Sequence, residues 1–130
     1  MQNGFKKYDV ALVDFGKAEF AGEQGGVRPA VIMSNNTGNI YSPATVVMPF
    51  TTQNRKLSQP THAAFRGDKN TGLTKESVIL GECLRNVSEH RIIRKLGSIT
   101  QKEDIDKIEK VKNAVFGDKE VNYAIHKNDN

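Results

Sequence analysis

Apolar and polar positions alternate imperfectly over "YDVALVDF" (8–15): Val10, Leu12 and Phe15 are apolar, and Asp9 and Asp14 are polar. The stretch predicts a first strand. Residues 16–26 hold four glycines and end in Gly25-Gly26, which predicts a loop. "VRPAVIMS" (27–34) follows as a second strand, with Pro29 expected at its start or on an edge because proline cannot donate to a ladder. "NNTGN" (35–39) is a turn cluster. "ATVVMPFT" (44–51) is a buried strand rich in β-branched residues. "TQNRKLSQP" (52–60) reads as a polar, mobile loop, "THAAF" (61–65) as a short strand and "RGDKNTG" (66–72) as a turn. "SVILGECLRNV" (77–87) is the longest predicted strand, with Gly81 marking a bulge. Ser88 to His90 predict one helical turn, and "IIRKLGSI" (92–99) a last strand.

The clearest helix comes next. Thr100 and Glu103 fit a capping box. Ile105, Ile108, Val111 and Val115 form one apolar stripe at helical spacing, and Gly117 is a terminator. The tail 118–130 is polar and predicted to fray. Many short strands, polar loops and one C-terminal helix imply a mainly β (α+β) fold, a small barrel-like sheet with helical decoration. The domain is expected to span 1–117.

The 130 residues fit one domain, long enough to bury a core without staples. A single cysteine, Cys83, excludes an internal disulfide framework and a multi-cysteine zinc site. It fits a reducing compartment, and with no signal peptide visible a cytoplasmic location is expected. The longest apolar run, "ATVVMPF" (44–50), is far too short to span a membrane. Net charge is +4, a mild lean toward polyanions.

Standard enzyme motifs are absent: no P-loop, no G-x-S-x-G, no H-E-x-x-H, no G-x-G-x-x-G. His62, His90 and His126 are far apart in sequence and read as surface or packing residues, and no metal or other cofactor is expected. Cys83 reads as a small core residue unless something lowers its pKa. That leaves "EQGGVRPAVIMSNN" (23–36). Its glycines permit close backbone approach, and Arg28, just after them, can hold a phosphate or oxyanion with its planar fork. On the residues alone, Arg28 could equally pair with Glu23 or Asp14 and simply finish the sheet.

The longer segment "EQGGVRPAVIMSNNTGNIYSPATVVMPFT" (23–51) resembles the MazF/PemK (Kid) family of toxin endoribonucleases. The resemblance continues through "KLSQPTHAAF" (56–65), "GLTKESVILGECLRNV" (72–87) and "EHRIIRKLGSI" (89–99), and covers roughly residues 8–116. It implies an SH3-like, CcdB/MazF-type β-barrel with short helices, acting as a homodimer. It further implies cleavage of single-stranded RNA at short sequences without metal, and a cognate antitoxin protein as partner. The family's catalytic arginine falls on Arg28 and its threonine on Thr51. Glu23, Glu82 and His62 are the candidate auxiliary acids or bases. RNA binding is expected from the loop after the first strand (Phe20, Gly22, Glu23, Gln24, Gly25), from Arg55 and Lys56, and from Cys83 and Arg85. Phe15 is expected in the core. Two positions depart from the family: Gly22 where relatives commonly have Ser, and Cys83 where many have Gln. Both resemble RNA-reading positions, so no cleavage sequence carries over. A CcdB-like gyrase poison is the first rival, but the C-terminal tryptophan important in that group is missing, since this chain has none. A non-catalytic SH3-like binding module is the second.

Overall fold

One strand, β3 (Ala44–Thr51), organises the molecule. The computed structural model describes residues 4–53 and 55–117. In it, β3 is buried along nearly its whole length. One edge pairs with β2 (Val27–Ile32), but only from Ala30 opposite Pro49 to Ile32 opposite Val47. The other edge is divided. Its first half, Ala44–Val47, pairs with β6 (Arg85–Ser88), and its end, Phe50 and Thr51, pairs with β5 (Ser77–Leu80). Outside these, β1 (Asp9–Asp14) lies between β2 and β7 (Ile92–Ser98), and β4 (His62–Phe65) extends β5. Every pairing is antiparallel, in the order β4-β5-β3-β2-β1-β7 with β6 on β3.

The mainly β expectation holds, but the barrel is not closed. β4 and β7 remain the two ends of the path. The flank of β7 is met by the 66–72 turn instead of a strand, with the Ser98 amide donating to the Asn70 carbonyl at 2.8 Å.

The predicted strand over 77–87 is two strands. Between β5 and β6 the chain makes a 3-10 turn, Gly81–Cys83. The reason is tertiary: a Cβ on Gly81 would overlap Cγ1 of Val111 and stand 3.0 Å from the Thr61 carbonyl. The chain must break there to fit under the C-terminal helix, and the break lets two short strands share one edge of β3. Likewise "NNTGN" is not a plain turn. It opens a short helix, α1 (Asn36–Tyr41), because the Asn35 side chain accepts the Gly38 amide at 2.7 Å and caps it. The turn after Ser88 forms as expected, as a 3-10 turn Glu89–Arg91 with the Ser88 side chain accepting from His90.

The imperfect alternation of β1 follows from burial on both faces. Val10 joins Val31, Met48, Phe50 and Ile79 on one face. Ala11 and Val13 join Phe15, Ala30, Ile32, Val47 and Val87 on the other. Leu12 is only half-buried. The first face is covered by α2 (Lys102–Phe116), which seats Ile108 and Val111 fully in the core and Ile105 at its margin. Each such side chain contributes about 1.5–3 kcal/mol by leaving water. The capping box on Thr100 and Glu103 is not formed. Gln101 is the N-cap without a side-chain bond, so the first turn relies on Glu103 and Asp104 against the helix dipole. Gly117 does close the helix, donating to the Asn113 carbonyl. Asp9, expected as a polar strand position, is buried between the Ser98 hydroxyl at 2.8 Å and the Lys6 amide at 2.9 Å. The tail 118–130, with His126, lies outside the described residues. No described helix is long and apolar enough to cross a membrane.

Candidate active site

Beyond Ala30 and Pro49 the ladder between β2 and β3 stops. Toward Val27 and Thr51 the two strands bound a cleft of about 360 Å³, closed on its other wall by the segment Leu73–Ser77. Pro29 sits where β2 pairs only with β1, opposite Leu12, so its missing donor costs nothing on the β3 side. Arg28 and Thr51 both line this cleft.

Arg28 is half-buried and held by two carbonyls. Its Nε donates to Gly25 O at 3.0 Å and its Nη1 to Phe50 O at 3.4 Å. The glycines before it explain themselves here. A Cβ on Gly25 would stand 2.6 Å from the Ala18 amide nitrogen, so only glycine lets the loop fold back and turn its carbonyl to the guanidinium. Gly26, at φ +80°, then returns the chain to β2. Neither candidate carboxylate takes the arginine. Glu23 Oε1 accepts the amides of Glu19 at 3.1 Å and Phe20 at 2.9 Å, and Asp14 accepts the Gly16 amide. Among the ion pairs of the described residues none includes Arg28. Burial, and after it Arg55, push its pKa below the ordinary value, with Cys83 opposing. It stays charged at neutral pH regardless.

Thr51 is buried at the end of β3 and accepts the Gln53 amide at 3.2 Å, leaving its hydroxyl proton to donate. Among the described residues, the cleft's lining contains two cations, Arg28 and Lys75, several hydroxyls and no carboxylate.

A second cleft, about 280 Å³, gathers Gly22, Glu23, Gln24, Glu82, Cys83 and Arg85. Arg85 lies over the Phe15 ring at 5.6 Å, so Phe15 is core on one side and cleft floor on the other. The Cys83 thiol reaches Gly22 O at 3.6 Å and ties the 3-10 turn to the glycine loop. Burial, then Glu82, push that thiol's pKa up against the pull of Arg55 and Arg28. It is therefore protonated at neutral pH and no ready nucleophile.

Glu82 is bound by His62, whose Nε2 lies 2.7 Å from its Oε2. The other ring nitrogen faces the Lys56 carbonyl at 2.8 Å. Burial raises the Glu82 pKa, but hydrogen bonds from His62 and nearby groups outweigh it and hold it below its usual value. His62 is buried and lines neither cleft. Phe20 is exposed and outside both clefts. Arg55 bonds Gln53 at 3.1 Å and acts on Arg28 through its charge. The far wall, Leu73 to Ser77, lies within a stretch that resembles the family, but nothing in the sequence gives its residues a site role, and they come to line one cleft with Arg28 only in the folded chain.

The clefts differ chemically. The first offers cations and hydroxyls, suited to a phosphate; the second offers carboxylates, amide groups and an arginine, suited to the donor and acceptor edges of a base.

Comparison with known proteins bears on this geometry. Over 110 residues, 85% of this chain and 87% of that protein, the sequence is 38% identical to the curated Endoribonuclease MazF of Staphylococcus saprophyticus subsp. saprophyticus. A mycobacterial endoribonuclease solved with its cognate antitoxin matches the fold with a TM-score of 0.69 at 23% identity, covering 88% of this chain and 96% of that one. MazF from Deinococcus radiodurans matches with a TM-score of 0.67 at 18% identity, covering 85% and 91%. The family model for the PemK-like, MazF-like toxins of type II toxin–antitoxin systems matches residues 6–116, and the chain belongs to that family.

Proposed function

We propose that this toxin-family enzyme, an endoribonuclease, cuts single-stranded RNA at short sequences without metal, leaving 2′,3′-cyclic phosphate and 5′-hydroxyl ends. RNA brings its own nucleophile: the ribose 2′-OH attacks the adjacent phosphorus and the 5′-oxygen leaves with a proton. The protein has to align these groups, meet the added negative charge and allow two proton transfers. The observation that carries the reading is that Arg28, its fork held by the Gly25 and Phe50 carbonyls, and Thr51 line one cleft with no carboxylate among the described lining residues. Arg28 donates to the phosphorane oxygens; Thr51 orients the scissile phosphate or the 2′-OH.

Among the described residues no strong general base lines their cleft. Glu23 is spent on two amides, and Glu82 is bound by a histidine and held in its ionised form. Positioning and charge therefore supply most of the rate, and the pH–rate profile lacks a sharp limb near neutrality. The second cleft reads base edges, with Gly22 and Cys83 giving this chain its own sequence preference. The enzyme works in the cytoplasm as a homodimer and is silenced by a cognate antitoxin, a reading supported by the mycobacterial endoribonuclease of related fold, which was solved in complex with its cognate antitoxin.

The test is cleavage of a long single-stranded RNA in EDTA, with wild type beside Arg28→Ala and fragment ends mapped. Recurrent short sites cut by wild type alone, leaving 5′-hydroxyl ends, support the reading. A folded wild type that leaves the RNA intact overturns it.

A further inference from the structure

Lys75 is the second cation of the first cleft, on the wall opposite Arg28. It is exposed, and no hydrogen bond or ion pair involves its ammonium among the described residues. Its backbone is fixed nonetheless: the Lys75 carbonyl accepts the Ser77 hydroxyl at 3.0 Å, and Ser77 is buried at the start of β5. An unspent cation on an anchored segment faces a cleft without any competing carboxylate. Arg28 meanwhile joins the two clefts: it lines the first, and its Nε donates at 3.0 Å to the carbonyl of Gly25, the residue after Gln24, which lines the second.

We propose that Lys75 binds a backbone phosphate of the RNA other than the scissile one, on the side of the cut away from the base held in the second cleft. This rests on the endoribonuclease reading above. In it, the strand crosses Arg28 at the scissile phosphate, offers a base edge to Glu82 and Cys83 on one side, and runs its backbone past Lys75 on the other. Lysine suits the task as a mobile point charge that tolerates any nucleotide. It contributes affinity, not sequence reading.

The probe is a single-stranded oligonucleotide carrying the mapped cleavage sequence, with a 2′-deoxy sugar at the scissile position so that it binds uncut. Affinity is measured across salt for wild type, Lys75→Ala and Lys75→Arg. Loss of one phosphate contact lowers the slope of log affinity against log salt by about 0.7 for a single strand. Lys75→Ala is expected to show that drop, with a raised KM and unchanged kcat on cleavable RNA, and Lys75→Arg to restore it. A single neutral methylphosphonate on the far side of the cut should weaken wild type and leave Lys75→Ala indifferent. An unchanged slope in Lys75→Ala, or indifference of wild type to that methylphosphonate, overturns the assignment while the ribonuclease stands. A wild type that neither binds nor cuts RNA removes the ribonuclease reading and this one with it.

Discussion

Replacing Arg28 by lysine keeps the charge and removes the fork, and its outcome can be worked from the contacts. A guanidinium has five N–H donors. Two are used on the carbonyls of Gly25 and Phe50, leaving three for a phosphate. An ammonium has three donors in all. If it satisfies the same two carbonyls, one remains; if it turns to the phosphate, two carbonyls lose their partner. Keeping the carbonyls bonded loses two of the three charge-assisted donors to the developing dianion; turning wholly to the phosphate keeps three donors but loses the fork that the carbonyls hold in line. Removing one such donor costs about 10²–10³ in kcat, about 2.7–4 kcal/mol. The cleft is open to solvent, so the lower end is expected, about 10². Stability should hardly move, because both carbonyls can take water in the cleft. The assay is single-turnover cleavage of an oligonucleotide carrying one mapped site, at saturating enzyme, with thermal melting in parallel. If Arg28→Lys keeps more than a tenth of the wild-type single-turnover rate, the guanidinium acts as a charge alone, and the donor count is wrong.

Three further outcomes are expected. Gly81→Ala pushes a methyl into Val111 and should cost about 1–3 kcal/mol by overpacking, read as a lowered melting temperature; a stability equal to wild type would mean α2 yields freely. The depressed pKa of Glu82 means its bond to His62 supports the fold fully above the ordinary carboxylate range and is lost as pH falls through the lower folded value. Acid unfolding of Glu82→Gln should therefore be shallower in that window, and an identical profile would show that the bond adds nothing. Tyr8 donates to Glu109 at 2.8 Å, and burial, with that bond next, raises its pKa to about 12. Its contribution is complete below pH 10, the value of a free tyrosine, and is lost as pH rises toward 12; ultraviolet titration should find one phenol ionising late, and Tyr8→Phe should remove it.

The strands were legible because their signal is local: apolar runs bounded by Gly, Asn and Pro. The failures within the sheet were nonlocal, and those at the helix starts were local. Nothing within 77–87 says that β3 offers two half-edges, or that Val111, thirty residues on, fills the space beside Gly81. Asn35 carried a cap signal that the surrounding turn formers concealed. Thr100 looked like a cap, but the helix starts one residue later than that pattern requires. For the site, Arg28 was visible through its glycines, and Thr51 only through family resemblance. The choice between a paired and an unpaired Arg28 needed the fold, because it turned on where Glu23 and Asp14 spend their oxygens.

The divided edge of β3 has a consequence for how such a molecule can change over generations. Glu82 and Cys83 sit in the gap between two ladders, where no strand pairing depends on them. Gly81 is locked by the helix behind it and Glu82 by its bond to the buried His62, which leaves Cys83 the freer of the two. The side chain at 83 can thus be exchanged at small cost to folding, while the Arg28 carbonyl clamps on the other cleft stay untouched. If the second cleft reads bases as proposed, a lineage can drift from one recognition sequence to another through this position, without passing through an unfolded or chemically inert intermediate.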